Sequence, residues 1–279
     1  MVALPYPSPR KSSGGGFAGP TFIRPVPRRL LIDQINNRNF LETITSTALT
    51  KPDLVGFAHA VEPGLPVSAL GWERFLIGPG GAGFSGRGYG GLPGGTARDI
   101  VPFDAIPEDA VIQIEIGAPG VGQVGGQGTY AGYSSVTFGD NYLRVEGGMP
   151  GEGSQENQRA LHLWAMQAGI TISDLGQNIW PNQQPVGPSS FAGPGAGAPN
   201  DFADVIGTVY GGYGSRNPDD MYKCGDGGNA GYAGGDYPGG DAVAGPGGGG
   251  SAGDAAYPGG AGSYSAFRQA IIVLEAINV

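Results

Sequence analysis

Cysteine and histidine are nearly absent from this sequence. Cys224 is the only cysteine, so no disulfide can form within the chain and a small disulfide-stabilised scaffold is excluded. His59 and His162 are the only histidines, and neither has a second histidine, a cysteine or a carboxylate at a spacing typical of metal ligands. No carboxylate pair has a defined spacing, and no obvious base lies near the cysteine. We therefore predict that the protein is not an enzyme and holds neither a metal nor a cofactor.

Long apolar runs are also missing. No stretch of about 18 consecutive apolar residues occurs, and the N-terminal MVALPYPSPRKSS lacks the apolar core of a signal peptide. Positive charge is scarce: the chain has 15 Lys and Arg residues and 24 Asp and Glu residues, which gives a net charge of −9. This balance argues against nucleic acid as the main partner. We expect no membrane insertion.

Glycine and proline are abundant instead, with 56 and 24 of the 279 residues. Glycine buries no side chain and loses the most backbone entropy on folding. A fold with so much glycine must gain stability from close backbone approach, hydrogen bonding or assembly. The composition therefore favours a homo-oligomer.

The charges are unevenly placed, because residues 1–38 carry six basic residues and one acidic residue. Six X-Pro steps in residues 1–30 favour extended backbone there. Residues 1–38 are interpreted as a basic, proline-rich extended arm, which is either disordered or docked in an acidic groove of a neighbouring subunit. The candidate docking residues are Arg10, Lys11, Arg24, Arg28 and Arg29.

Residues 39–66 are interpreted as an irregular connector with one short helix or strand, and residues 67–279 as a glycine-rich β body. In AVIQIEIG (110–117) three isoleucines alternate with Val111, Gln113 and Glu115, which predicts a strand with one buried face. Asp140-Asn141 predicts a hairpin turn between two further strands. The predicted strands are 72–78, 110–117, 134–139, 142–148, 203–212 and a closing strand in the final FRQAIIVLEAINV.

One long helix is predicted at 154–169, with Ser154 as N-cap and Gly169 as its end. It falls in a segment, 152–200, that is interpreted as an insertion in the β body. The predicted fold is mainly β: a small β-sandwich-like body with glycine-rich, polyproline or polyglycine II-like loops, one inserted helix and an extended N-terminal arm.

The stretch FLIGPGGAGFSG (75–86) has the glycine spacing of a dinucleotide-binding loop. That loop must lead directly into a helix whose first turn binds the pyrophosphate. The chain continues as RGYGGLPGG, whose glycines and proline exclude a helix there, and Asp104 adds only weak support as a ribose ligand. The sequence therefore argues against a cofactor site.

The glycines recur every third residue in several places. A period of three is that of the polyproline II helix, in which a neighbouring backbone can approach the edge that lacks Cβ atoms. These glycines are therefore interpreted as packing edges; the alternative is a flexible linker, which the recurrent tyrosines disfavour. Calcium binding by Asp226, Asp236, Asp241 and Asp254 is disfavoured because they do not form a regular repeat. The period-three glycines are Gly80, Gly83 and Gly86; Gly225, Gly228, Gly231 and Gly234; and Gly247, Gly250, Gly253, Gly259 and Gly262.

Three segments combine a short strand with a glycine-rich stretch: 72–95, 106–122 and 132–151. Together they resemble the glycine-rich domain of minor tail proteins and tail fibre proteins of tailed bacteriophages. The block GDGGNAGYAGGDYPGGDAVAGPGGGGSAG with its terminal apolar strand resembles the end of such domains. Pro119 and Val121 interrupt the expected glycine run, and the 152–200 segment departs from the pattern.

The resemblance implies a structural protein of the distal tail of a virion, made in the host cytoplasm, with other tail proteins as partners and a symmetric homo-oligomer, a trimer being favoured. An alternative is an adhesin that recognises host cell-surface glycan, with Tyr232, Tyr237, Tyr257 and Tyr264 as candidate receptor-binding residues. The opposing interpretation is that these tyrosines pack between glycine edges. A free extracellular glycine-rich or ice-binding protein is a third alternative, disfavoured by the short periods and the lack of an export signal.

Overall fold

A computed structural model describes residues 28–30, 32–33, 38–86, 88–153, 207–209, 220–222, 224–228, 230–232, 239–243, 245–253 and 256–274. The described part is mainly β, as predicted. Two antiparallel sheets and one strand pair account for its strands. The elements in chain order are β1 (Arg28–Arg29), β2 (Leu41–Thr43), β3 (Thr47–Thr50), α1 (Lys51–Val61), β4 (Leu70–Ile77), β5 (Thr96–Pro102), β6 (Val111–Glu115), β7 (Ser134–Phe138), β8 (Asn141–Val145), β9 (Gly207–Val209), β10 (Ala230–Tyr232) and β11 (Ala266–Val273).

The larger sheet is built on the long antiparallel pair β4 and β11. Ala266 lies opposite Ile77 and Val273 opposite Leu70, so the two strands pair along their whole length. β5 pairs with the other edge of β4, and β1 and β2 share the other edge of β11. Nearly every residue of β4 and β11 is buried, because other parts of the chain cover both faces of the sheet.

The smaller sheet has the order β3-β6-β7-β8, and all of its pairs are antiparallel. In β6, Ile112 and Ile114 are buried whereas Val111, Gln113 and Glu115 are exposed, which confirms the predicted alternation. The hairpin between β7 and β8 also forms, but its turn is Gly139-Asp140, because Phe138 pairs with Asn141 and Gly139 takes a φ of +50°. The predicted turn at Asp140-Asn141 is therefore wrong by one residue.

The main core contains apolar side chains from both sheets. Trp72 of β4 lies edge-on to Phe267 of β11, with 6.0 Å between ring centroids, and 6.3 Å from Phe138 of β7. Its indole Nε1 donates a hydrogen bond to Gln269 Oε1 at 2.9 Å, so the one polar atom of this buried ring is satisfied. A second cluster lies around Phe75 and Met221 and includes the buried Cys224, whose Sγ donates to the Tyr222 carbonyl at 3.8 Å.

Helix α1 begins at a capping box. The Thr50 side chain accepts from the Asp53 backbone N–H, and the Asp53 carboxylate accepts from the Thr50 backbone N–H at 2.8 Å. Leu54 and Ala58 bury one side of the helix in the main core. Residues 39–66, interpreted as an irregular connector with one short helix or strand, hold one helix, α1, and two strands, β2 and β3.

Other strand predictions have clear outcomes. The strands predicted at 72–78, 134–139 and 142–148 form, β9 lies within the strand predicted at 203–212, and β11 covers Phe267–Val273 of the predicted closing strand. β5 was missed because its sequence, TARDIVP, mixes polar and apolar residues without a clear apolar face. The predicted helix at 154–169 lies outside the described residues.

Glycine-rich segments extend from one end of both sheets, and we call them the glycine bundle. Its segments start or end next to β4, β5, β6, β7, β8 and β11, whose facing ends are brought together by the antiparallel pairing. The glycine bundle comprises residues 78–86, 88–95, 117–132, 146–153, 245–253 and 258–264.

Hydrogen bonds in the glycine bundle repeat every three residues. Gly80 and Gly83 donate to the carbonyls of Ser263 and Gly260, at 2.9 and 2.8 Å. Between residues 78–86 and 88–95, the successive donors are Gly78, Gly81 and Phe84, and the acceptors are Gly95, Leu92 and Tyr89. A period of three is that of a helix with three residues per turn and no internal hydrogen bonds, which leaves its amides free to bond neighbouring segments.

Glycine is required at these contacts. A Cβ added to Gly80 would lie 1.8 Å from the carbonyl oxygen of Gly248, and one on Gly262 would lie 1.9 Å from that of Gly80. The predicted packing edges are therefore confirmed at eight positions. Gly86 differs, because it takes a φ of +119° and its nearest neighbour is the Phe84 ring. The eight are Gly80, Gly83, Gly225, Gly228, Gly250, Gly253, Gly259 and Gly262.

Candidate functional site

The described residues contain no group of three or more His, Cys, Asp or Glu side chains arranged to hold a metal ion. Asp226 and Asp241, two of the four aspartates considered for calcium, lie among them, whereas Asp236 and Asp254 lie outside. Within the same part of the chain, no helix has the length and apolar character needed to cross a membrane.

The glycine pattern at 81–86 forms no cofactor loop. The amide of Gly81 donates to the Leu92 carbonyl at 2.9 Å and that of Gly83 to the Gly260 carbonyl at 2.8 Å. These N–H groups are therefore used within the glycine bundle and are not free to bind a phosphate. Asp104 is exposed in a short 3-10 helix.

The outer face of the smaller sheet carries an open groove of about 630 Å³, which we call the sheet groove. β3 and β6 form its floor, where Ala48 pairs with Gln113 and Thr47 with Ile114. The side chains of Gln113 and Glu115 point to this face because the alternation of β6 buries the isoleucines on the other one. The sheet groove is lined by Ser46, Thr47, Ala48, Gln113, Ile114, Glu115, Ile116 and Tyr133.

Tyr133 forms one wall of the sheet groove and is held by an arginine. The guanidinium carbon of Arg144 lies 4.0 Å from the centroid of the Tyr133 ring, and its Nη1 donates to the Tyr142 hydroxyl at 3.3 Å. Arg144 also pairs with Glu146 at 2.7 Å. Hydrogen bonds with Tyr142 and Glu146 raise the pKa of Arg144. The cation stays charged at any accessible pH and keeps the ring in place.

Glu115 is the charged group of the sheet groove. Its Oε2 accepts from the hydroxyl of the buried Ser135 at 3.1 Å, which orients the carboxylate on the sheet surface. Ser46, across the sheet groove, accepts from the backbone N–H of Ile116 at 3.0 Å. The site thus offers an oriented carboxylate, hydroxyls, an amide and an aromatic wall, which can hold a polar ligand.

A second cluster of charges lies on the other face of the larger sheet, around the buried carboxylate of Glu73. Arg29 Nε donates to it at 2.6 Å and Arg98 Nη2 at 2.5 Å, and the Tyr222 hydroxyl donates as well. Burial alone would raise the pKa of Glu73, but hydrogen bonds from Arg29 and Tyr222 and the charges of the two arginines outweigh it and lower that pKa. We call this group the Glu73 cluster.

The geometry of the Glu73 cluster suits a role in holding strands together. Burial and the hydrogen bond to Glu73 raise the pKa of Tyr222 far above its ordinary value, so the phenol stays neutral and cannot act as a base. The guanidinium carbons of Arg29 and Arg98 lie 5.0 and 4.4 Å from the Tyr222 ring centroid. The cluster therefore joins β1, β4, β5 and the 220–222 turn.

Arg74 is a buried cation on the core side of the larger sheet. Its Nε donates to Asp99 Oδ1 at 2.7 Å and its Nη2 to Asn141 Oδ1 at 2.8 Å, so it connects β4 with β5 and with the start of β8. Its guanidinium carbon also lies 5.1 Å from the Trp72 ring centroid. Its Nη1 is buried and has no hydrogen-bond partner among the described residues. This group fixes the two sheets to each other.

Of the four candidate receptor-binding tyrosines, Tyr257 and Tyr264 have side chains among the described residues. Tyr257 and Tyr264 are partly exposed, at 37% and 39%, and burial with the nearby Glu42 carboxylate raises the pKa of Tyr264. Tyr232 lies in β10, and Tyr237 lies outside the described residues. Neither Tyr257 nor Tyr264 lines the sheet groove.

The candidate docking residues of the arm fall in two groups. Arg10, Lys11 and Arg24 lie outside the described residues. Arg28 and Arg29 form β1, opposite Val273 and Ile272, and Arg29 is bound to Glu73. These two arginines are therefore part of the sheet.

Sequence reasoning missed Tyr130, Tyr133 and Tyr142, which are more exposed than Tyr257 and Tyr264, at 61%, 44% and 57%. Tyr142 could have been found, because strand alternation in NYLRV places Tyr142 and Arg144 on the face opposite Leu143 and Val145. The role of Tyr133 could not, since it depends on the contact with Arg144.

Comparison with known protein families finds no family model that matches this chain, and comparison with curated proteins finds no match either.

Proposed function

We propose that this protein is a structural, non-catalytic component of a bacteriophage virion, a minor tail protein or tail-tip or fibre protein of the distal tail. The proposal rests first on the resemblance of its glycine-rich blocks to such tail domains. The structural observation that supports the proposal is the glycine bundle, whose backbone segments are hydrogen-bonded directly to one another at the ends of two sheets.

The physical properties of the glycine bundle suit such a role. Where Cβ atoms are absent, each segment lies against its neighbours' carbonyls, and backbone hydrogen bonds join segments that are far apart in sequence, such as Gly91 to Gly250 at 2.7 Å. A body joined in this way resists deformation because its backbone polar groups bond within it. The proposed partners are other tail proteins and further copies of this chain, with a trimer favoured.

Purified virions test this proposal. A phage genome that encodes this chain is propagated, particles are banded by density, and the protein is quantified by mass spectrometry and located with antibody and electron microscopy. We expect a few copies per particle at the tail end farthest from the capsid. Recovery of the protein only in the soluble lysate, with none in banded particles, would contradict the proposal.

The N-terminal arm can be tested in the same particles. A chain lacking residues 1–27 keeps Arg28, Arg29 and the Glu73 cluster, so the sheet retains its contacts. We expect the truncated chain to be absent from virions while its thermal unfolding is unchanged. A matched control that replaces only Arg10, Lys11 and Arg24 with alanine tests whether charge is responsible.

A second function, recognition of a glycan on the host surface, is favoured by one observation, the exposed sheet groove with its aromatic wall and polar floor. Binding of labelled protein to a panel of bacterial cells, with its mass in solution measured on the same sample, tests this function. Saturable binding to one group of hosts is the expected result.

A further inference from the structure

The sheet groove differs from an apolar docking surface in its chemistry. Its exposed side chains carry a hydroxyl group on Ser46, an amide on Gln113 and a carboxylate on Glu115, beside one aromatic ring. Ile114 is almost fully buried and contributes little apolar surface. The volume, about 630 Å³, lies within the range of about 300–1,000 Å³ typical of small-ligand sites.

Several polar atoms of the sheet groove are available to a ligand. Among the described residues, the side chain of Gln113 makes no hydrogen bond, and Glu115 uses only Oε2, for Ser135. Ser46 accepts from Ile116 and can still donate its own hydroxyl proton. Donors and acceptors therefore lie close together on β6 and on Ser46 beside it.

Tyr133 supplies a fixed flat surface next to these polar atoms. Arg144 lies over its ring at 4.0 Å and is itself held by Glu146, yet 44% of Tyr133 remains exposed. An aromatic side chain that is already fixed loses little conformational entropy when a ligand contacts it. The sheet groove is thus preorganised on the side of Tyr133.

We infer that the sheet groove is a saccharide-binding site. A sugar ring presents hydroxyls that both donate and accept, which Ser46, Gln113 and Glu115 complement, and an apolar C–H face that packs on an aromatic ring such as Tyr133. Nucleic acid fits poorly because Glu115 and the net charge of −9 repel phosphates. An amphipathic helix fits poorly because the floor offers little apolar surface.

This inference deepens the second function proposed above and does not depend on the tail assignment. A protein that is present in virions but binds no sugar would retain the tail role and lose the saccharide site. A sugar-binding protein that is absent from virions would do the opposite. The virion experiment and the sugar-binding experiment therefore test the two proposals independently.

The test uses the full chain and an array of oligosaccharides made from glucose, galactose, rhamnose and N-acetylglucosamine, followed by saturation-transfer NMR with the best-bound compound. We expect Tyr133→Ala to weaken binding by about tenfold or more, because one aromatic contact is removed. Tyr133→Phe keeps the ring and should retain binding, and Glu115→Gln should weaken it. Tyr130→Ala is the matched control, since Tyr130 is exposed but does not line the sheet groove.

Each variant is checked by thermal unfolding, so that a loss of binding is not a loss of fold. No binding to any sugar of the array overturns the inference. Binding that survives Tyr133→Ala and Glu115→Gln, or that is lost only in Tyr130→Ala, overturns it as well. Binding that a peptide digest of host envelope proteins displaces but free sugar does not would point to a protein ligand and also overturn it.

Discussion

A Cβ added to Gly83 would lie 1.7 Å from the carbonyl oxygen of Ser251, while the amide of Gly83 donates to the Gly260 carbonyl at 2.8 Å. Gly83 is therefore hydrogen-bonded to the backbone segment of Gly260, and the segment of Ser251 leaves no room for a methyl group. The same relationship recurs through the glycine bundle, where backbone contacts replace side-chain packing.

Replacing Gly83 with alanine should destabilise the protein strongly. The methyl group meets backbone, which cannot move without breaking neighbouring hydrogen bonds, so we expect a loss of about 3 kcal/mol or more. Gly56→Ala is the control, because Gly56 is exposed in α1 with nothing within 4 Å of its added Cβ. It should raise stability by up to about 1 kcal/mol through helix propensity. Urea unfolding measures both, and equal effects would contradict the packing argument.

Glu73→Gln should destabilise the larger sheet. The substitution removes the charge that neutralises Arg29, whose side chain is 13% exposed, and weakens the hydrogen bond from Tyr222. Arg98 is half exposed and is screened by water, so we expect a loss of about 2–3 kcal/mol. Glu62→Gln removes the carboxylate of an exposed ion pair with Arg28 and should cost at most about 0.5 kcal/mol. Chemical denaturation of the two variants should give clearly different midpoints.

The Glu73 cluster should also contribute to acid sensitivity. The pKa of Glu73 is lower in the folded protein than its ordinary value of 4.5, so the carboxylate stabilises the fold fully above pH 4.5. This contribution is lost as the pH falls through the lowered folded pKa. Unfolding free energies of the wild type and Glu73→Gln, measured from pH 7 to pH 2, should converge at the acid end. A constant difference over this range would show that Glu73 does not titrate with folding.

The cap of α1 gives a local prediction. Thr50→Ala removes the side chain that accepts from the Asp53 N–H and should cost about 1 kcal/mol, whereas Thr50→Ser keeps the hydroxyl and should be close to neutral. Thermal unfolding followed by circular dichroism compares the two. Equal losses in both variants would mean that the methyl group of Thr50, and not the cap, is responsible.

The sequence supports much of the fold and little of the candidate site. Alternation in β6 and the apolar residues of β4 and β11 predict strands, because side chains on a strand point to opposite faces in turn. β5 is not predicted because polar and apolar residues do not alternate regularly in its sequence. The Glu73 cluster joins Arg29, Arg98 and Tyr222, which lie 44, 25 and 149 residues from Glu73 in the chain, so local patterns hold no signal for it.

The sequence by itself determines the mainly β class, the strands with one buried face and the glycines that are candidate packing edges, since these follow from local periodicity and from the missing Cβ. Only the tertiary structure decides which segments become neighbours. Gly83 meets Ser251, and Tyr133 meets Arg144 beside β3 and β6, because antiparallel pairing brings distant strand ends together. The sheet groove is therefore a property of the assembled sheet, formed from residues that no single stretch of sequence contains.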